Sequence, residues 1–134
     1  MKKKLERVLV ADDNRIVRVV LRELFEGLGA EVMEAPDGEA ALQLAQDFGP
    51  QLIVMDLLMP KRDGFQVADE ILRFGLPSRP VLFLATAVYK GARWEHECIK
   101  TYKASEFLRK PIDHEDLLER LGKHFAIDPS PLQE

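Results

Sequence analysis

Five polar side chains in this sequence stand at or just past the ends of short apolar runs, and their types suit the handling of concentrated negative charge. Asp12 and Asp13 follow the run at 8–11, and Asp56 follows 52–55. Thr86 follows 81–85, and Lys110 lies just beyond 106–108 with Pro111 behind it. Adjacent carboxylates repel one another, more strongly as the local dielectric falls, so Asp12 and Asp13 need something to compensate them. One reading is a solvated turn in which an aspartate caps the next helix; the other is a cation site. Taken singly, Thr86 reads as a strand-end hydroxyl that satisfies backbone and Lys110 as a surface charge. A chemical role requires the fold to bring the five together.

The elements that would do so are legible as alternation. Runs rich in β-branched residues at 8–11, 31–34, 52–55, 81–85 and 106–108 read as five strands, and amphipathic stretches separate them. The runs centred on Leu9, Ile53 and Leu82 are almost wholly apolar, as strands covered on both faces must be, whereas Glu31-Val32-Met33-Glu34 alternates and suits an edge. Ile16, Val20, Leu24 and Leu28 mark one helix face, and Ala41, Ala45 and Phe48 a second helix after Asp37-Gly38. Phe65, Ala68, Ile71 and Leu72 give a third helix, which Pro77 and Pro80 should end. Residues 90–103, with Trp94, Cys98, Ile99 and Tyr102 at helical spacing, read as a fourth. Asp113 should cap a last helix carrying Leu117, Leu118, Leu121 and Phe125. Alternating strands and helices imply a parallel sheet with helices on both faces, and ligands bind such sheets at the carboxyl ends of the strands. Those ends are where the five polar residues stand.

Composition narrows the function classes. A chain of 134 residues is one domain in length, and its single cysteine, Cys98, forms no internal disulfide. A net charge of -4 disfavours a chain-wide grip on nucleic acid, and Lys2, Lys3 and Lys4 read as a solvated basic tip. No signal-type start and no bilayer-length apolar run is present, so the expected setting is the reducing cytoplasm, away from membranes. Residues 127–134, with Pro129 and Pro131, have linker composition and leave 1–126 as the domain. Trp94 and Tyr102 read as packing residues, and Cys98, His96, His114 and His124 as structural or surface groups.

The motifs Val-Ala-Asp-Asp-Asn at 10–14, Val-Met-Asp-Leu-Leu-Met-Pro-Lys-Arg-Asp-Gly at 54–64, Ala-Thr-Ala at 85–87 and Phe-Leu-Arg-Lys-Pro at 107–111 come in order on successive strands. In this the chain resembles the receiver domain of bacterial two-component response regulators, of the chemotaxis-regulator-like superfamily. The resemblance runs from about Leu5 to Phe125. It implies a doubly wound α/β fold, a five-stranded parallel sheet of flavodoxin-like order 2-1-3-4-5. It implies that Asp56 accepts a phosphoryl group from a phosphohistidine on a sensor histidine kinase, and that the carboxylates hold Mg²⁺. By analogy Asp13 and Asp56 bind the metal directly, Asp12 acts through water, and the Leu58 backbone carbonyl adds a ligand. Lys110, turned inward by a cis bond to Pro111, and Thr86 would contact phosphoryl oxygens, and small Ala87 would leave room for the donor. Thr86 and Phe107 match the switch pair, and the fourth helix, fifth strand and fifth helix form the expected output face toward an effector domain or target and the surface for a homodimer. Two departures fall at the fourth helix: the Thr86 to Lys110 interval is slightly long, and Lys103-Ala104-Ser105-Glu106 stands where relatives usually carry glycine.

The leading expectation is therefore a signalling switch that catalyses only its own phosphorylation and slow dephosphorylation. The alternative is a Mg²⁺-dependent phosphohydrolase with an aspartyl-phosphate intermediate, but such enzymes carry Asp-x-Asp after the first strand. Here Asp12 and Asp13 are adjacent and the best nucleophile is on the third strand. A docking domain that is never phosphorylated would be expected to lack Asp56, Lys110 or the acidic pair, and this chain has them all.

Overall fold

Strands and helices alternate through the computed structural model, which describes residues 1–74, 79–88 and 91–128. The first half holds β1 (Lys3–Lys4), β2 (Arg7–Ala11), α1 (Arg15–Gly27), β3 (Glu31–Ala35), α2 (Gly38–Asp47) and β4 (Leu52–Asp56). The second holds α3 (Gly64–Phe74), β5 (Val81–Thr86), α4 (Ala92–Lys100), β6 (Glu106–Arg109), α5 (His114–Leu121) and β7 (Phe125–Ala126). Five strands form one parallel sheet in the order β3-β2-β4-β5-β6, which is 2-1-3-4-5 when the five long strands are counted, the flavodoxin-like arrangement. The alternating strand β3 lies at an edge and the apolar β2, β4 and β5 lie inside.

Period-two alternation along those strands splits the core in two. Val8, Val10, Leu52, Val54, Phe83 and Leu108 pack with Leu21, Leu24 and Phe25 of α1 and Leu117 and Leu121 of α5. Leu9, Ile53, Met55, Leu82, Leu84 and Phe107 face the other way, onto Ala41 and Ala45 of α2, Val67, Ala68 and Ile71 of α3, and Cys98 of α4. Every β2–β6 carboxyl end therefore opens on one rim of the sheet, with the helices clear of it.

Three expectations need correction. The last helix does not reach Phe125: it ends at Leu121 with Gly122 at its C-cap, and Phe125 reaches the core from β7. The basic tip is not merely a solvated end, because Lys3 and Lys4 pair in parallel with Phe125 and Ala126, although the Lys3, Lys4 and Ala126 side chains remain exposed. Neither Asp12 nor Asp13 caps α1. Asn14 does, its side-chain oxygen accepting from the backbone N–H groups of Ile16 and Val17. Asp113 caps α5 as expected. Pro77, Lys90 and the prolines of the tail lie outside the described residues.

Candidate functional site

Asp12 begins the turn out of β2. Its backbone N–H donates to the Ala35 carbonyl at 3.0 Å, and its carbonyl accepts from Arg18 Nη1 at 2.8 Å. Its Oδ1 accepts from the Asn14 N–H at 2.9 Å, so the side chain is held in the crevice and is only 3 % exposed. Asp56, the last residue of β4, is 8 % exposed and accepts at Oδ1 from the Leu58 N–H at 3.2 Å. Asp13 is open to solvent. One carboxylate oxygen from each of Asp12, Asp13 and Asp56 lies within 4.8 Å of the others. At 4.8 Å and an effective dielectric of 20, two such charges repel by about 3.5 kcal/mol, and by less where the exposed Asp13 is one of them.

Lys110 answers part of that repulsion. Its Nζ donates to Asp12 Oδ2 in a short contact and to Asp56 Oδ2 at 3.0 Å, bridging positions 98 and 54 residues away in sequence. The Lys110–Pro111 peptide is cis, and the Lys110 N–H donates to the Thr86 carbonyl at 2.9 Å. Burial is the strongest influence on Asp56 and pushes its carboxyl above the usual value; the Lys110 hydrogen bond and charge pull it back only in part. Burial is also the largest single influence on Lys110 and pulls it down. Asp12 and Asp56 together more than reverse it, so the ammonium is held above the ordinary lysine value. The result is a basic, ionisable carboxylate beside a firmly charged ammonium. A pocket of hard oxygen donors with a third carboxylate at its mouth fits a divalent cation such as Mg²⁺.

Thr86 ends β5 one strand over, 2 % exposed, with Oγ1 accepting from the Val88 N–H at 3.0 Å. Phe107 is not at the rim. It pairs in register with Leu84, deeper in the sheet, and is buried on the α4 side. Pro111 and Ala87 line an apolar groove beside Lys110 with Ile16, Val20 and Ile112. The site thus gathers Asp12, Asp13, Asp56, Lys110 and Thr86 and leaves Phe107 behind them.

The loop between Asp56 and α3 is clasped by α2, which sequence reading missed. Gly38 N donates to the Pro60 carbonyl at 3.3 Å, and a Cβ on Gly38 would sit 1.9 Å from the Arg62 carbonyl oxygen. Lys61, in the left-handed region at φ 69°, places Nζ 3.5 Å from Asp37 Oδ2. Arg62 pairs with Glu70, and Gly64 N closes the loop on the Leu57 carbonyl at 2.9 Å. The signal was present in Asp37-Gly38, which sequence places only as the lead into the second helix. Arg18, which holds the Asp12 carbonyl, also pairs with Glu34 at 3.1 Å.

A crevice of this kind at the carboxyl rim of a 2-1-3-4-5 sheet defines a receiver-type α/β domain. A family model described as the response regulator receiver domain matches residues 8–122, and the chain belongs to that family. Receiver domains of response regulators are phosphorylated by histidine kinases and regulate effector domains. The chain is similar to protein CcdB of Bacillus subtilis, 32% identical over 87% of this chain and 95% of that protein. It is also similar to the transcriptional regulatory protein PdtaR of Mycobacterium tuberculosis, 44% identical over 84% of this chain but 53% of that protein. It thus spans about half the length of PdtaR, and the match to the probable transcriptional regulator ycf27 of Galdieria sulphuraria spans 26% of it. Among solved structures, the chemotaxis response regulator CheY4 of Vibrio cholerae superposes with a TM-score of 0.81 at 26% identity, covering 91% of this chain and all of that one. No helix among the described residues is long and apolar enough to cross a membrane.

Proposed function

We propose that residues 1–126 form a phosphorylation-controlled switch, with 127–134 a tail or the start of a linker, that takes a phosphoryl group on Asp56 from a sensor histidine kinase in the cytoplasm. The observation that carries this reading is the single ammonium of Lys110 shared by Asp12 and Asp56. An Asp56 oxygen attacks phosphorus, the histidine N–P bond breaks, and an acyl phosphate forms. Lys110 then exchanges one carboxylate contact for a phosphoryl oxygen, a point charge moving a short distance within one crevice. Asp13 and Asp56 would hold Mg²⁺ directly, with Asp12 through water and the Leu58 carbonyl, and the ion would supply neutralisation of the approaching phosphoryl charge. The apolar groove beside Lys110, where Ile16 is 74 % exposed, is the surface for the donor kinase. Leu58 and Val88 are exposed and apolar, so neither orients a water for hydrolysis, and the phosphorylated state persists.

Transmission starts from Thr86. Turning its hydroxyl to a phosphoryl oxygen gives up the Val88 N–H contact and frees space that Phe107 fills, biasing α4, β6 and α5, the face toward an effector or a second copy. Trp94 of α4 packs 6.2 Å from Phe65, at the start of α3, and reports the shift. Acetyl phosphate with Mg²⁺ should add one phosphoryl group by intact mass and change Trp94 fluorescence. Asp56→Asn should abolish both, and Thr86→Ala only the fluorescence change. Phosphorylation of Asp56→Asn would overturn the acceptor, and a full spectral response in Thr86→Ala would overturn the switch route.

A further inference from the structure

The opposite end of the sheet carries a second charged feature that the acceptor site does not use. Arg7, Gln51 and Val81 lie side by side where β2, β4 and β5 begin. Gln51 N donates to the Arg7 carbonyl at 3.0 Å, and Val81 N to the Gln51 carbonyl at 2.8 Å. The β1–β7 ladder is tied beside them by Gln51 Nε2, which donates to the Lys4 carbonyl at 3.1 Å. Between ladder and strand ends lies a recess of about 650 Å³ with Lys2, Lys3, Arg7 and Arg79 around it, Val81 and Phe125 as its apolar lining, and no carboxylate among the described lining residues. Four cations thus share one concavity in a chain whose net charge is -4.

Part of that charge has a structural use. Lys2 Nζ donates to the Gly122 carbonyl at the end of α5, and Arg7 Nε to the Gly49 carbonyl beyond α2 at 2.9 Å, where cations complement helix C-termini. These contacts leave the two terminal nitrogens of Arg7 for another acceptor and fix the direction of its fork. Lys3 and Arg79 have no ion-pair partner among the described residues. His124, on the same lining, is already paired with Glu106 Oε2 at 3.0 Å, so among the described residues no carboxylate of the lining neutralises the four cations.

We propose that this recess binds a compact polyanion built of linked phosphates, such as a tripolyphosphate chain or the triphosphate arm of a nucleotide. Three or four negative charges must fit within a few hundred cubic ångströms to match the lining. A phosphate chain reaches that density, whereas one carboxylate does not. Guanidinium forks match phosphate oxygens in pairs, and the two ammoniums add point charges. A concave recess bounded by the ladder favours a small ligand over an extended backbone.

The test is calorimetric titration of the whole chain with inorganic tripolyphosphate in magnesium-free, low-salt buffer. One site should appear, weakening as salt rises. The Lys3→Glu, Arg79→Glu double variant changes two exposed side chains, so it should melt like the wild type, accept phosphate from acetyl phosphate as the wild type does, and bind tripolyphosphate at least about tenfold more weakly. ATP binding as well as tripolyphosphate means that the phosphates alone are read; tighter ATP binding adds a contact of the nucleoside with the apolar lining, and either supports the site. No binding by the wild type, equal binding by the variant, or capture of a single-stranded oligonucleotide without any tripolyphosphate binding would overturn it.

Discussion

The loop after Asp56 and the connection after Thr86 leave neighbouring strands at the same rim, but they are held in different ways. The first is gripped on two sides: α2 meets it through Gly38 and Asp37, and α3 through Glu70, while Asp63 and Gln66 cap α3 reciprocally. The second reaches α4 through Gly91, at φ 100°, with no side-chain hydrogen bond capping the helix. Cys98 is the buried residue α4 contributes to the core. A phosphoryl acceptor needs atoms that stay in place, because misplacing a reacting group raises the barrier steeply. A readout needs a segment whose two arrangements differ little in free energy. On the function proposed above, the same rim would supply both.

That contrast can be broken most directly at Gly38. A methyl group there collides with the Arg62 backbone, so Gly38→Ala should lower stability by about 2–3 kcal/mol in urea titration and slow phosphorylation by acetyl phosphate. Val88→Ala, on the exposed side of the other connection, should stay within about 0.5 kcal/mol. Equal losses would erase the difference between the two loops. Next comes Cys98, whose thiol is pushed up to about 11 by burial, with Glu97 and Glu95 adding to the shift. Unfolded, the thiol ionises near its ordinary value of 9.0, so between those values the unfolded state binds fewer protons and stability falls as pH rises. Relative to Cys98→Ala, wild type should lose roughly 2 kcal/mol from pH 9 to pH 11, and parallel curves would show that α4 leaves the thiol in water. The smallest effect concerns Lys103, just past α4, which sits in the left-handed region at φ 58°. Lys103→Gly should relieve that strain, offset in part by a freer unfolded chain, for a net gain of about 0.5 kcal/mol in the same titration. A loss would mean that the lysine side chain holds the turn.

Lys103 also shows where sequence stops being informative. The absence of glycine before β6 reads as a departure from the family, yet the backbone keeps a left-handed residue there, with Ala104 N returning to the Cys98 carbonyl at 2.9 Å. Residue type reports a preference and not the conformation adopted. The strands were legible because burial on two faces demands continuous apolar runs, and the rim was legible because a parallel sheet gathers its strand ends. Asp12, Asp13, Asp56, Thr86 and Lys110 followed from that topology. Phe125 was misread because Leu121 and Phe125 keep helical spacing, whereas pairing with Lys3 joins positions at opposite ends of the chain. Gly38 was underread for the same reason: its neighbour Arg62 is set by two loops meeting, which no local pattern encodes. Asn14 took the capping role because Asp12 was already engaged in its own turn.

The β1–β7 ladder has a consequence of a topological kind. Lys3 lies opposite Phe125 and Lys4 opposite Ala126, so the described backbone comes back to where it started, at the amino rim of the sheet. Traced in space, the domain is nearly a closed circuit, and its neighbour relations would survive a change in where that circuit is cut. A short bridge across the ladder, with new ends at the exposed turn of Gly29 between α1 and β3, would preserve every strand order and both halves of the core. Anything tethered beside the ladder hangs from the pole opposite Asp56 and leaves the crevice around that residue uncovered.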